Sequence, residues 1–208
     1  MSLPGIKIKM CGMTRSEDVA YAIGLGVHAI GLIFYKKSAR SITITKAHQL
    51  VKDIPPFISP VAVFVNPESE LVQQIINELP IHLLQFHGDE TPEFCNQFGL
   101  PYIKAIHPET TVDIEEGISK FNTAQALLLD SQSTSSRGGS GLTFDWRIIP
   151  KNTQKPLILA GGLNELNIAD AINSCRPYAV DVCSGIEMEP GIKDHSKMTH
   201  FIKALEYI

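Results

Sequence analysis

The sequence predicts an α/β protein, a single (β/α)8 barrel of the TIM type with a closed, parallel, eight-stranded sheet. Two observations carry that prediction. Short runs rich in β-branched residues alternate with segments of helical period from one end of the chain to the other, the pattern of a parallel sheet. Counting them gives eight strands and eight helices with nothing left over, which suits a closed barrel better than an open doubly wound sheet. The 208 residues lie near the short end for this fold, so trimmed loops are expected.

Strands are expected at 6–10, 29–34, 61–65, 83–86, 102–106, 126–129, 157–160 and 179–182. The helical segments between and after them are 16–25, 45–53, 68–79, 91–98, 112–121, a short 144–149, 166–174 and 194–207. Three helix starts have a chemical reason. Ser16 precedes Glu17 and Asp18, Thr91 precedes Pro92 and Glu93, and Asp194 precedes the last apolar stripe. Each offers a side-chain oxygen to amides that the first turn leaves unpaired. The segment 131–142, SQSTSSRGGSGL, is too polar and glycine-rich for either element. It reads as a lid or as a disordered connector, and short loops elsewhere favour the lid.

Composition narrows the function classes. With 44% hydrophobic and 19% charged residues, 1–208 reads as one soluble globular domain. A net charge of −4, with no basic cluster interleaved with aromatics, argues against a nucleic-acid partner. The N-terminal MSLPGIKIKMCG has lysines where a signal peptide needs an apolar run, and no later run is long enough to cross a bilayer. A cytoplasmic enzyme without membrane contact is expected. The cysteines at 11, 95, 175 and 183 form no CxxC pair, so free thiols are expected rather than zinc or disulfides. Cys95 and Cys175 read as small buried hydrophobes.

In such a barrel the active site lies at the C-terminal ends of the strands. The polar residues and glycines there are Cys11, Arg40, Asn66, His87, His107, Asp130, Gly161, Gly162, Asp181, Ser184 and Gly185. The histidines sit on separate strands, and no His/carboxylate spacing recurs on one element, so no metal is expected. Strand parity sharpens the set. In the first strand Ile6, Ile8 and Met10 share one face and Lys7, Lys9 and Cys11 the other. If the apolar set meets the helices, Cys11 points into the barrel mouth, and the same argument sends Asp181 and Cys183 inward. An inward Lys9 calls for an inward acid, and Asp181 on the neighbouring strand supplies it, either as a structural ion pair or as a direct part of the site. Gly161-Gly162 and Ser184-Gly185 end the seventh and eighth strands, where barrels hold phosphate on backbone amides.

Eight stretches then carry a resemblance: Lys9-Met10-Cys11-Gly12-Met13-Thr14, Ser38-Ala39-Arg40, Gln85-Phe86-His87-Gly88, Leu129-Asp130-Ser131, Gly138-Gly139-Ser140-Gly141, Ala160-Gly161-Gly162-Leu163, Asp181-Val182-Cys183-Ser184-Gly185-Ile186-Glu187 and Pro190-Gly191-Ile192-Lys193-Asp194. In identity and order, from Lys7 to the last helix, the chain resembles the phosphoribosylanthranilate isomerase family. The resemblance implies an Amadori rearrangement in tryptophan biosynthesis, from N-(5-phosphoribosyl)anthranilate to 1-(2-carboxyphenylamino)-1-deoxyribulose 5-phosphate, with no cofactor. It implies Asp130 as general acid, Cys11 as base and Arg40 as the anthranilate carboxylate anchor. Gly161, Gly162, Ser184 and Gly185 would hold the phosphate, with His87 lining the substrate site. Positive charge from the reaction's iminium or from Lys9 is expected to ionise Cys11.

Three departures from the family pattern stand out. Ala39 replaces a common proline, Ser140 a usual threonine, and Cys183 a common serine. The last puts a second sulfur on the strand beside Cys11, close enough to expect cross-linking under oxidising conditions. Two rival phosphosugar barrels fit less well: an indole-3-glycerol-phosphate synthase needs catalytic lysine and glutamate, and a ribulose-phosphate epimerase needs metal-binding histidines. A non-catalytic phosphosugar sensor would not need Cys11 and Asp130 together. A monomer is expected.

Overall fold

A computed structural model describes residues 5–131 and 144–206. The eight barrel strands are β1 (Lys7–Met10), β2 (Ala29–Ile33), β3 (Ser59–Phe64), β4 (Leu83–Phe86), β5 (Tyr102–Ile106), β6 (Ala126–Leu129), β7 (Leu157–Leu159) and β8 (Ala179–Val182). Each pairs with the next in parallel, and β8 returns to β1 with Lys7 opposite Ala179 and Met10 opposite Val182, closing the barrel. Among the described residues seven α-helices follow strands: α1 (Ser16–Gly24), α2 (Ile44–Val51), α3 (Ser69–Glu78), α4 (Pro92–Asn96), α5 (Thr111–Lys120), α6 (Ile168–Cys175) and α7 (His195–Glu206).

The parity argument describes the core. Ile8, Met10, Leu32, Phe64, Phe86 and Val180 are buried between sheet and helices. Their strand neighbours Val61, Val63, Ile103, Ala105, Leu128 and Ile158 fill the barrel. Both faces of most strands are therefore dry, which is why β3, β6 and β7 read as apolar runs, while β1 and β8 alternate because Lys9 and Asp181 pair inside the barrel.

Helix caps match the sequence in two of three places. The Thr91 hydroxyl accepts from the Phe94 amide and the Asp194 carboxylate from the amides of Ser196 and Lys197. Ser16 does not cap, because it is already the first helical residue; Arg15 holds the cap position, and the Asp18 carboxylate of the first turn binds its guanidinium instead. The expected helix at 144–149 is only a 3-10 turn, Trp146–Ile148, capped by Asp145. Pro150 follows at once, and so short a segment cannot pay for nucleating an α-helix. The lid expectation for 131–142 lies outside the described residues, apart from the buried Ser131.

One element was not expected. After β8, a 3-10 turn (Ser184–Ile186) leads into an antiparallel hairpin of β9 (Glu187–Glu189) and β10 (Ile192–Lys193). The chain reverses through Gly191, whose φ of +87° suits glycine. This hairpin carries two ionic side chains to the barrel mouth.

Candidate active site

At the C-terminal ends of the strands a cavity of about 580 Å³ is lined by Cys11, Arg40, Gln85, His87, Asp130 and Gly161, with Gly162, Asp181, Cys183 and Ser184 completing its wall. Eight of the nine expected site residues line it directly. The ninth, Gly185, sits behind the wall: a Cβ there would lie 1.9 Å from the Leu163 carbonyl oxygen, so glycine lets the loops after β7 and β8 touch. Gly161 and Gly162 have φ of +81° and +65°. Among the described residues, no acceptor meets the amides of Gly162 and Leu163, which suits an anion. Asn66 and His107 do not line the cavity. Asn66 instead binds Asp89 and donates its amide to Glu90, and the His107 ring lies 3.3 Å from the Asp130 carbonyl oxygen.

Inside the barrel, Lys9 Nζ lies 2.7 Å from Asp181 Oδ2. Burial alone would lower the Lys9 pKa, yet attraction to Asp181 and Cys11 holds it above the ordinary lysine value. Burial likewise pushes Asp181 up, against the pull of Lys9. Its second oxygen, Oδ1, is buried and has no hydrogen-bond partner among the described residues. Asp181 thus forms the structural pair with Lys9 that the sequence allowed, and the residue also lies in the cavity wall.

Asp130 sits at the end of a side-chain relay. Its Oδ2 lies 2.9 Å from His87 Nε2, and His87 Nδ1 lies 3.1 Å from Gln85 Nε2. With the Gln85 amide donating to Nδ1, the imidazole proton is on Nε2 and points at the carboxylate. Gln85 Oε1 is unpartnered among the described residues. Turning the amide over would let Oε1 accept Nδ1–H, leaving Nε2 to accept from a protonated Asp130. The same three side chains therefore suit either protonation state of Asp130.

Cys11 and Cys183 continue the β1–β8 register one step past Met10 and Val182, which sets the two thiols beside each other across the barrel seam. Both are free. The Cys183 thiol and burial push Cys11 well above the ordinary thiol value, and Lys9, already bound to Asp181, does not reverse this. The expectation that Lys9 ionises Cys11 is thus corrected for the free protein. Cys183 moves the other way. Its pKa is lowered first by the Cys11 thiol, against burial, and then by Lys193 and Arg40.

Arg40 is mostly buried and binds Glu187 through Nε, 2.8 Å from Oε1, and Nη2, 2.6 Å from Oε2. Lys193, fully buried, reaches Glu187 Oε1 at 2.9 Å, the Cys183 carbonyl at 3.1 Å and the Cys183 sulfur at 3.8 Å. Burial would raise the Glu187 pKa, but its two cations hold it below the ordinary carboxylate value. Sequence reasoning missed Gln85, Glu187 and Lys193. Parity could have found Gln85, two residues before His87 on the same strand face; nothing local pairs Glu187 with an arginine 147 positions away.

Among the described residues, no group of three His, Cys, Asp or Glu side chains is arranged to hold a metal ion. The arrangement instead brings a carboxyl, a thiol, a guanidinium and glycine-rich loops with unpaired amides around one cavity.

Comparison with known proteins points the same way. The family profile for N-(5'phosphoribosyl)anthranilate (PRA) isomerase matches residues 8–204. The N-(5'-phosphoribosyl)anthranilate isomerase of Legionella pneumophila (strain Paris) is 64% identical over 200 residues, covering 96% of this chain and 97% of that one. The crystal structure of phosphoribosyl anthranilate isomerase from Thermotoga maritima superposes with a TM-score of 0.89 at 35% identity, covering 98% of this chain and all of that one. A phosphoribosyl anthranilate isomerase structure in complex with reduced 1-(o-carboxyphenylamino)-1-deoxyribulose 5-phosphate superposes with a TM-score of 0.86 at 34% identity, covering 98% and 100%. Taken with the closed barrel and the residues around its mouth, these matches make the chain a member of the N-(5'-phosphoribosyl)anthranilate isomerase family.

Proposed function

We propose that this chain catalyses the Amadori rearrangement of N-(5-phosphoribosyl)anthranilate in tryptophan biosynthesis, with Asp130 as general acid and Cys11 as base. The observation that carries the assignment is that Cys11 and Asp130, from β1 and β6, open onto one cavity that also holds Arg40 and the glycine loops. A cavity of about 580 Å³ has the size of a small-molecule site.

The proton and electron balance uses only groups present. Asp130 protonates the ring oxygen as the C1–O bond breaks, and the anilino nitrogen lone pair forms a C1=N iminium. Cys11 thiolate removes the C2 proton; the C–H electrons become C1=C2, and the C1=N pair returns to nitrogen. The C2 hydroxyl then loses its proton to the Asp130 carboxylate as C1 takes one from the Cys11 thiol. C2 is oxidised and C1 reduced within the substrate, so the chemistry requires no cofactor.

Among the described residues Arg40 has no partner at its second Nη, which binds the anthranilate carboxylate; the amides near Gly161, Gly162, Ser184 and Gly185 take the phosphate, and Asp181 accepts a ribose hydroxyl. The expected functional state is a monomer, checked by light scattering. Among the described residues no helix is long and apolar enough to cross a membrane. A role in amino-acid biosynthesis is the ground on which we assign the enzyme to the cytoplasm.

The test is turnover of freshly generated phosphoribosylanthranilate, followed by its fluorescence, for wild type, Cys11→Ser and Asp130→Asn. Loss of about 100-fold or more in kcat in both folded variants is expected. An inactive wild type would move the assignment to another phosphosugar, and an active variant would remove that residue's role.

A further inference from the structure

Charge is distributed unevenly around the two sulfurs at the ends of β1 and β8. Beside Cys11 stand Lys9 and Asp181, an ion pair 2.7 Å apart with no charge left over. Beside Cys183 stand Lys193, Arg40 and Glu187: two cations and one carboxylate, a surplus of one positive charge. The Lys193 amine lies 3.8 Å from the Cys183 sulfur. A buried anion is favoured where it meets unneutralised positive charge, so the pair's first negative charge belongs on Cys183.

We infer that Cys183 is a positioning residue for the base: its sulfur holds the resting negative charge of the thiol pair and takes the Cys11 proton once substrate is bound. The inference rests on the reading of Cys11 as base. Substrate supplies the driving force at both ends. A carboxylate arriving on Arg40 cancels the surplus positive charge beside Cys183, which makes that thiolate a stronger proton acceptor. The iminium places positive charge near Cys11. The transfer is balanced: Cys11 S–H with Cys183 S⁻ becomes Cys11 S⁻ with Cys183 S–H. Cys11 then takes the C2 proton and later gives one to C1, and Cys183 returns its proton to Cys11 as product leaves. A thiol with a raised pKa in the free protein is thereby a thiolate only in the complex, when a base is needed.

The experiment titrates the far-ultraviolet thiolate absorbance of the intact enzyme for wild type, Cys11→Ser and Cys183→Ser, alongside pH profiles of kcat. One thiolate step near neutrality is expected in wild type and in Cys11→Ser, and its loss in Cys183→Ser. The rising limb of kcat in Cys183→Ser is expected to move up by about one pH unit or more, roughly tenfold in rate on that limb, with KM little changed. A neutral-range step that persists in Cys183→Ser and vanishes in Cys11→Ser would put the resting charge on Cys11 and overturn the inference, as would an unmoved pH profile. The absorbance readout does not depend on turnover. If Cys11→Ser retained activity, the base assignment would fall while the location of the charge was still decided.

Discussion

Arg40 meets Glu187 edge-on, its Nε and Nη2 bound to the two oxygens of a carboxylate that is itself buried and shared with Lys193. Such a fork fixes the guanidinium plane, and it leaves the opposite edge for a second anion. This partner supplies the rigidity that Ala39, in place of a proline, does not.

Glu187→Gln should therefore damage substrate binding more than chemistry. The amide keeps one acceptor but loses the charge, so Arg40 is less firmly placed. We expect KM to rise about tenfold, close to 1.4 kcal/mol, with kcat within a few fold of wild type. Steady-state kinetics decide: a fall in kcat at constant KM would mean that the cluster acts in the transition state instead.

His87 separates its two possible roles in the same way. Its Nε2 lies 2.9 Å from Asp130, while its ring also lines the cavity. If it holds the acid in place, His87→Ala should lower kcat by roughly 10-fold or more at nearly constant KM. A raised KM with kcat intact would make it a substrate contact alone.

The barrel and most of the residues lining the cavity could be read from the chain, the barrel and the inward faces of β1 and β8 because they follow from period and count. Alternation along β1 and β8 places Lys9, Cys11, Asp181 and Cys183 inward, and closure then makes those strands neighbours. What escaped depends on contacts between distant segments. The Glu187–Lys193 hairpin has no strong strand pattern in three- and two-residue strands, and its ionic partner Arg40 lies far away in sequence. The direction of the Cys11 shift escaped for a related reason. Lys9 was visible as a neighbour, but its commitment to Asp181 and the influence of the second thiol are tertiary facts.

Lys9→Met tests how the barrel interior tolerates a lone charge. Removing the amine leaves Asp181 buried without its partner, for which roughly 3–5 kcal/mol of destabilisation is expected. Pairing it with Asp181→Leu should restore much of the denaturation midpoint but not activity, since no acceptor would remain for the substrate hydroxyl. Recovery of activity in the double variant would reduce the pair to a structural role.

The thiol pair should also respond to oxidant. Parallel neighbours lie about 4.8 Å apart, within the roughly 4.4–6.8 Å range of disulfide Cα spacings. Diamide would accept two electrons and two protons as the Cys11 and Cys183 sulfurs join, stopping turnover until dithiothreitol reverses it. Cys183→Ser, measured against its own untreated rate, should resist. Equal inactivation of both proteins would locate the sensitive thiol elsewhere.

Asp18 links this chemistry to the stability of the fold. Its buried carboxylate accepts from Arg15 at 2.7 Å and the Lys193 amide at 3.2 Å, and lies 3.0 Å from His195 Nε2, so it ties α1 to the hairpin and α7. Burial would raise its pKa, but hydrogen bonds from Arg15, Lys193 and His195 hold it below the ordinary aspartate value. A carboxyl depressed in the folded state contributes stability above its unfolded pKa and loses it as pH falls through the folded value. Asp18→Asn should therefore lower Tm at neutral pH, with about 1.5–3 kcal/mol lost from the charged hydrogen bonds. The gap should begin to narrow as pH drops below about 4, where the unfolded chain's carboxyl takes up its proton, and close as pH falls through the lower folded value. Melting curves that stay parallel down to that range would show that the carboxylate's charge contributes nothing, leaving only its shape and hydrogen-bond geometry to hold Lys193 against Glu187.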